Sequence, residues 1–238
     1  MNYYQLPRIS NSDLTIAMHL ITHTPYKKPE AASTVDAVRF GGVFHELLLE
    51  PEKFRAESCE GLNIRLLYRM YRTVISNQYC QSLLQDSEKE KVVLWQEPIT
   101  GIDCKCKLDV IVNPISETPQ VVDFKTTSAR NLRAFLNCCR MYHYDRQAGG
   151  RPMAFYADSI GAKQVCLIGV SKSAKRLFFV QKYATSAFVE EGRRKYSHLL
   201  QKVQERDLFE AIYYARNNGS HEPGSTQLNE PCPTYHTA

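Results

Sequence analysis

Two stretches of regular alternation constrain this chain more than anything else in it. From Ile102 to Val112, the residues Ile102, Cys104, Cys106, Leu108 and Val110 fall on one side, and Asp103, Lys105, Lys107 and Asp109 fall on the other. That is the period of a β-strand, whose successive side chains point to opposite faces. A second such stretch sets Val121, Asp123 and Lys125 on one face and Val122 and Phe124 on the other. The linker between them, 113–119, holds Asn113, Pro114, Ser116 and Pro119 and has the composition of a strand connection. Antiparallel pairing of the two strands sets Asp109 beside Asp123, with Lys125 about 6–7 Å further along the same face.

Two carboxylates and an ammonium sharing a face admit two readings. One is a solvated, salt-bridged sheet surface. The other is a metal site, in which hard carboxylate oxygens hold Mg²⁺ or Mn²⁺ while the lysine orients a water or offsets phosphate charge. Asp123 and Lys125 interrupt an otherwise apolar strand, Val-Val-Asp-Phe-Lys, where unpaired charge is costly to bury; this favours the second reading.

Asp109 followed by Asp123-Phe124-Lys125-Thr126-Thr127 resembles the D…(D/E)-x-K core of the PD-(D/E)xK nuclease superfamily. The nearest branch is that of RecB-type nuclease domains and the RecE (exonuclease VIII) nuclease domain of prophage recombination systems. Further pieces follow in the family's order. Ile9 to Leu14 is similar to its opening helix start. Gly41, His45, Leu47, Leu49, Glu50-Pro51-Glu52 and Phe54 match its G-x-x-x-H-x-L-x-L-E-P-E-x-F segment. Tyr144 to Gln147 with Phe155-Tyr156 resembles its Gln/Tyr motif, and Leu167 to Ser171 the strand after it.

The resemblance implies an α/β fold with a central mixed β-sheet flanked by helices, the restriction-endonuclease-like core. It implies metal ligation by His45, Asp109, Asp123 and the Phe124 carbonyl, and catalysis by Asp109, Asp123, Lys125 and Gln147. The glutamine and tyrosine, about four apart in the family, stand nine apart here, so Tyr156 and Tyr144 both remain candidates for the tyrosine. The implied activity is 5′→3′ digestion of double-stranded DNA with Mg²⁺ or Mn²⁺. The implied partners are duplex DNA, a single-strand annealing protein and further copies of the chain in a ring. A binding or scaffold module without catalysis, a nuclease for single strands or RNA, and a plain α/β interaction protein are the rival readings.

Charge agrees with a polyanionic partner more in its distribution than in its total. The net charge is +5, but from Lys125 to Arg151 six basic residues (Lys125, Arg130, Arg133, Arg140, Arg146, Arg151) face one acid, Asp145. Arg130, Arg133, Arg140, Arg146 and Arg151 with Tyr156 are the expected nucleic-acid contacts. Arg65, Arg69 and Arg72 form a second cluster, and Lys172, Lys175 and Arg176 a third. Each has an ordinary alternative as a solvated helix or turn.

At 238 residues the chain suits one domain, expected over 1–216 with a disordered tail at 217–238. No apolar run approaches the ~20 residues of a membrane span, and the N-terminus lacks a signal-peptide pattern. A cytoplasmic location is therefore expected. The eight cysteines contain no C-x-x-C, and Cys104, Cys106 and Cys166 fit buried strand positions. Helices are expected over about 13–22, 34–49, 62–86, 128–144 and 185–206. Strands are expected at 92–95, 102–112, 121–127, 164–170 and 177–183. His19 and His23 stand four apart, a metal-compatible spacing, but lack a third ligand nearby and are read as plain histidines; Glu97 is open to a role as a further acidic group and is read as an exposed strand-end residue.

Overall fold

The computed structural model describes residues 3–27, 32–141, 153–218 and 220–221. The chain opens with β1 (Ile9–Ser10), α1 (Asn11–Ile21), β2 (Tyr26–Lys27) and α2 (Ala32–Leu49). Two further helices, α3 (Ile64–Ile75) and α4 (Gln78–Leu84), precede the strands β3 (Ser87–Gln96), β4 (Asp103–Val112) and β5 (Gln120–Thr127). Then come α5 (Leu132–Met141), α6 (Met153–Ser159), β6 (Gln164–Ser171), β7 (Leu177–Tyr183), α7 (Ala187–Glu205), α8 (Phe209–Asn218) and β8 (Ser220–His221).

Six strands form one mixed sheet. Strands β4, β5, β6 and β7 are neighbours in that order; β3 covers one side of β4 along its length. The β5–β6 pair is parallel and its neighbours are antiparallel. The other side of β4 is shared: β5 pairs with its C-terminal end, from Val110↔Val122 to Val112↔Gln120, and β1 pairs in parallel with its N-terminal part at Cys104 and Lys105. Helices cover both faces, so the α/β class read from the sequence is the one found. One core packs α1, α6, α7 and α8 on the sheet through Leu14, Phe155, Tyr196 and Leu200; the other packs α2, α3 and α4 through Phe44, Leu67, Val122 and Phe124. Each fully buried Leu or Phe of these clusters contributes about 1.5–3 kcal/mol of apolar burial.

Strand β3 begins five residues before the expected Val92. Its first half, Ser-Glu-Lys-Glu-Lys, has no apolar face and reads as solvated; it is a strand because β4 supplies a partner, and its lysines are typical of a protected edge. Helix α5 starts later than expected, after Asn131, whose Oδ1 accepts from the Ala134 N–H at 2.8 Å. The 62–86 stretch divides into two helices, each capped by an asparagine: Asn63 accepts from Leu66 N–H, and Asn77 from Cys80 N–H. Helix α8 was not expected from the sequence. It reaches Asn218, past the start of the expected tail, and Arg216 in its last turn explains why it docks. That guanidinium bonds Asp13 at 2.7 and 2.5 Å, and Asp13 in turn accepts from the Ser10 N–H and hydroxyl at the start of α1. The Ser-Asn-Ser-Asp segment thus ties both ends of the described chain together.

The alternation of β4 breaks once. Cys104, Cys106 and Leu108 lie in the first core as expected, but Val110 lies in the second. The strand changes face at Asp109. On β3 the pairs Lys89↔Val110 and Lys91↔Leu108 flank Glu90, which has φ +50°, the left-handed region that costs a non-glycine residue about 1–2 kcal/mol. Such strain persists only where surrounding contacts hold it, and often where a side chain must be aimed.

Cys104, Cys106 and Cys166 are buried thiols, as expected, and the described cysteines are free. Among the described residues no helix is long and apolar enough to cross a membrane.

Candidate metal centre

Extending the β4–β5 register one step beyond Val110↔Val122 opposes Asp109 to Asp123, as the alternation implies. The backbone ladder stops there. The Phe124 N–H instead donates to Asp109 Oδ2 at 2.9 Å, so a carboxylate takes the place of the next backbone carbonyl. The Phe124 carbonyl accepts from His45 Nε2 at 3.0 Å and from Lys125 Nζ at 3.3 Å. His45 reaches this point from α2, between Phe44 and the helix end, and its Nδ1 lies 3.5 Å from Asp109 Oδ2 and 3.6 Å from Glu90 Oε1.

Donor atoms of His45, Glu90 and Asp109 all lie within 4.8 Å of one another, a spacing that one divalent ion can bridge. Burial pulls the His45 pKa down. The charge of Asp109 and the hydrogen bonds to Asp109 and Glu90 outweigh it, Lys125 opposing, and the pKa is raised to about 9. Both ring nitrogens then carry protons, one facing the Phe124 carbonyl and the other the two carboxylates. Two carboxylates and a carbonyl facing one imidazole favour positive charge at this point. Two carboxylates, a carbonyl and an imidazole that can shed its proton form a donor set suited to Mg²⁺ or Mn²⁺.

Glu90 is the residue that sequence reasoning missed. It is paired with Lys107, which also lies 3.6 Å from Glu50 at the end of α2. Burial raises the Glu90 pKa, but the bonds from His45 and Lys107 leave it below the ordinary carboxylate value. The signal existed: once β3 is paired with β4, Glu90 falls opposite Asp109. It was hidden inside a charge run.

Asp123 is 1% exposed and forms an ion pair with Lys125. It stands outside the His45–Glu90–Asp109 group and is joined to it through Lys125, whose ammonium also reaches the Phe124 carbonyl. Four expected residues, His45, Asp109, Phe124 and Lys125, therefore converge directly, and Asp123 joins by its ion pair. Gln147, Arg146, Arg151 and Tyr144 lie outside the described residues, as does the side chain of Arg140. Arg130 and Arg133 are exposed at the start of α5.

Three expectations about single residues change. Tyr156, expected at nucleic acid, is 5% exposed and packed in the first core, because the apolar run Met153–Ala157 buries α6 on every side. Glu97, expected to be exposed, is buried and accepts from the N–H and hydroxyl of Thr100, closing the β3–β4 turn. Lys105, expected on the polar strand face, is 1% exposed; it donates to the Tyr3 and Leu6 carbonyls at 2.9 Å each.

No family model and no curated protein matches the chain. Among solved structures, one from Eubacterium rectale, described as a "putative exonuclease", is similar over 99% of this chain and 94% of its own, with TM-score 0.52 and 10% identity. A second, the protein SSO0001, covers 85% of this chain and 77% of its own at TM-score 0.41 and 12% identity, too distant to argue from. At such identities the likeness is one of fold, and it extends over nearly the whole length of both chains in the first case.

Proposed function

We propose that the chain is a metal-dependent nuclease, reading it as a 5′→3′ exonuclease on double-stranded DNA of the phage-recombination type. The observation that carries this reading is the meeting of His45, Asp109, the Phe124 carbonyl and Lys125 where β4 and β5 part. A strand fork of this kind puts acids, an imidazole and an ammonium around one point without a backbone ladder in the way. His45, Asp109, Asp123 and the Phe124 carbonyl would hold Mg²⁺ or Mn²⁺, and Glu90 would add a fifth donor, its carboxylate oxygen. A bound divalent cation supplies a water of lowered pKa and polarises the phosphoryl oxygen. Asp123 and the Phe124 carbonyl hold the Lys125 ammonium in place, where it orients the attacking water and offsets charge as the phosphate is attacked. Arg130 and Arg133 supply sequence-independent phosphate contacts at the start of α5. Gln147, a single-strand annealing protein and a ring of chains belong to the same reading.

The test is degradation of end-labelled linear duplex by the purified protein with Mg²⁺ or Mn²⁺, beside matched single strands and RNA. Wild type releases label from 5′ ends of duplex; Asp109→Asn and Lys125→Ala each lower the rate at least about 100-fold, the scale of one lost charge-stabilising group. Undiminished rates in either folded variant would refute the assigned chemistry. Preference for RNA or single strands would replace the substrate while keeping the site.

A further inference from the structure

A groove of about 810 Å³ lies between α3 and the β6–β7 turn. We infer that it binds single-stranded nucleic acid, gripping the backbone through Arg65, Arg72 and Lys175 and stacking a base on Tyr68. This goes beyond the nuclease reading and does not depend on it, because none of these residues belongs to the metal centre.

The helix explains half of the groove. Residues three and four apart share a helix face, so Arg65, Tyr68, Arg69 and Arg72 form one stripe, while Leu67, Met70 and Val74 are buried on the opposite side. An arginine stripe on an amphipathic helix is ordinary by itself. The other half comes from about a hundred residues later. Arg69 turns its guanidinium to the Lys172 carbonyl and so fixes the β6–β7 turn against α3, which brings Lys175 into the same groove. Lys172 itself points away, its ammonium 4.5 Å from the centre of the Phe40 ring. Two basic clusters that are separate in sequence thus become one surface.

Its chemistry is one-sided. No acidic residue lines the groove, and among the described residues Arg65, Arg72 and Lys175 are paired to no carboxylate. Three cations left without counter-charges are complementary to a polyanion. The lining is not purely cationic, however: Tyr68, 38% exposed, and Phe179 stand among the charges. Cations that track a backbone, interleaved with aromatic faces on which bases stack, are the means by which proteins hold single strands without reading sequence. Duplex DNA keeps its bases stacked inside and would leave the tyrosine unused.

The experiment measures fluorescence anisotropy of a fluorescein-labelled oligo(dT) of about 20 nucleotides, in EDTA so that binding is read without cleavage. The triple variant Arg65→Ala/Arg72→Ala/Lys175→Ala is expected to bind at least tenfold more weakly. It should also flatten the slope of log K against log salt by about 2, at about 0.7 per lost phosphate contact. Tyr68→Ala is expected to weaken binding by roughly tenfold with the salt slope unchanged. Lys163→Ala/Lys182→Ala, exposed cations away from the groove, is expected to lose much less. Arg69 is left intact because it holds the turn. Undiminished affinity in the triple variant, or an equal loss in the control pair, overturns the site. No effect of Tyr68→Ala, or a Tyr68→Ala loss as large for a matched duplex as for the strand, overturns the single-strand assignment.

Discussion

Lys105 gives the most quantitative test of the structure. Its ammonium is buried beneath the N-terminal segment, bonded to the Tyr3 and Leu6 carbonyls and 4.9 Å from the centre of the Tyr3 ring. Loss of solvation lowers its pKa to about 8 from 10.5, with Arg216 adding to the depression and Asp13 opposing it. At neutral pH the lysine is charged in both states, and the folded state bears the full cost, about 3 kcal/mol for a shift of this size. Between pH 8 and 10.5 the unfolded chain binds more protons than the folded one, so stability rises with pH across that window. Integrated from pH 7 to 10, the gain is about 2.5 kcal/mol.

The buried thiols act in the opposite direction. Burial pushes Cys80 up to about 11 and Cys106 and Cys166 up to about 12, so the unfolded chain loses those protons first and stability falls above about pH 8.5. Comparing wild type with Lys105→Met cancels them. Urea unfolding of both proteins at several pH values from 7 to 10 should show the difference, wild type minus variant, climbing by about 2.5 kcal/mol. A difference that stays flat would show that Lys105 keeps an ordinary pKa, and the burial argument would fail.

Glu90→Gln should weaken Mn²⁺ binding about 10–100-fold by calorimetry at fixed pH, while leaving the fold intact; unchanged affinity would leave Glu90 as an ion-pair partner of Lys107 and His45 and not a metal ligand. Asp13→Asn should destabilise the protein by about 3–5 kcal/mol, because it leaves Arg216 without its buried counter-charge; denaturant unfolding reads this directly. Gly169→Ala should cost about 1–3 kcal/mol. Its added methyl would fall 2.6 Å from the ring of Phe135, which is fully buried and stacked on Phe178. A melting temperature equal to wild type would mean that the ring has room to move.

The hairpin was legible because alternation is a local property: Asp109, Asp123 and Lys125 could be set on a common face before any strand was paired. His45 could be placed only by resemblance, since nothing within α2 says which way that helix leans on the sheet. Glu90 was invisible for a different reason. A Glu-Lys-Glu-Lys run looks the same whether it faces water or a site, and a non-glycine residue carries no mark of a positive φ. Strict alternation sets Val110 on the face of Leu108, and it has no means of signalling where a strand rotates. Tyr156 shows the reverse error, an aromatic given a ligand when its apolar neighbours already specified a core. The buried roles of Lys105 and Glu97 depend on partners that only folding supplies, the N-terminal carbonyls in one case and a tight turn in the other.

The fork at β4 has a consequence for dynamics. Where two strands have already separated, a visiting ion need not unzip any part of the sheet, and its arrival exchanges one set of side-chain partners for another. The amide of Phe124 is the reporter of that exchange, because its hydrogen is donated to the Asp109 carboxylate at the centre itself. Its rate of deuterium uptake should therefore follow the occupancy of the centre, while the amides of Val121 and Val122 a few ångströms away keep time with the sheet as a whole.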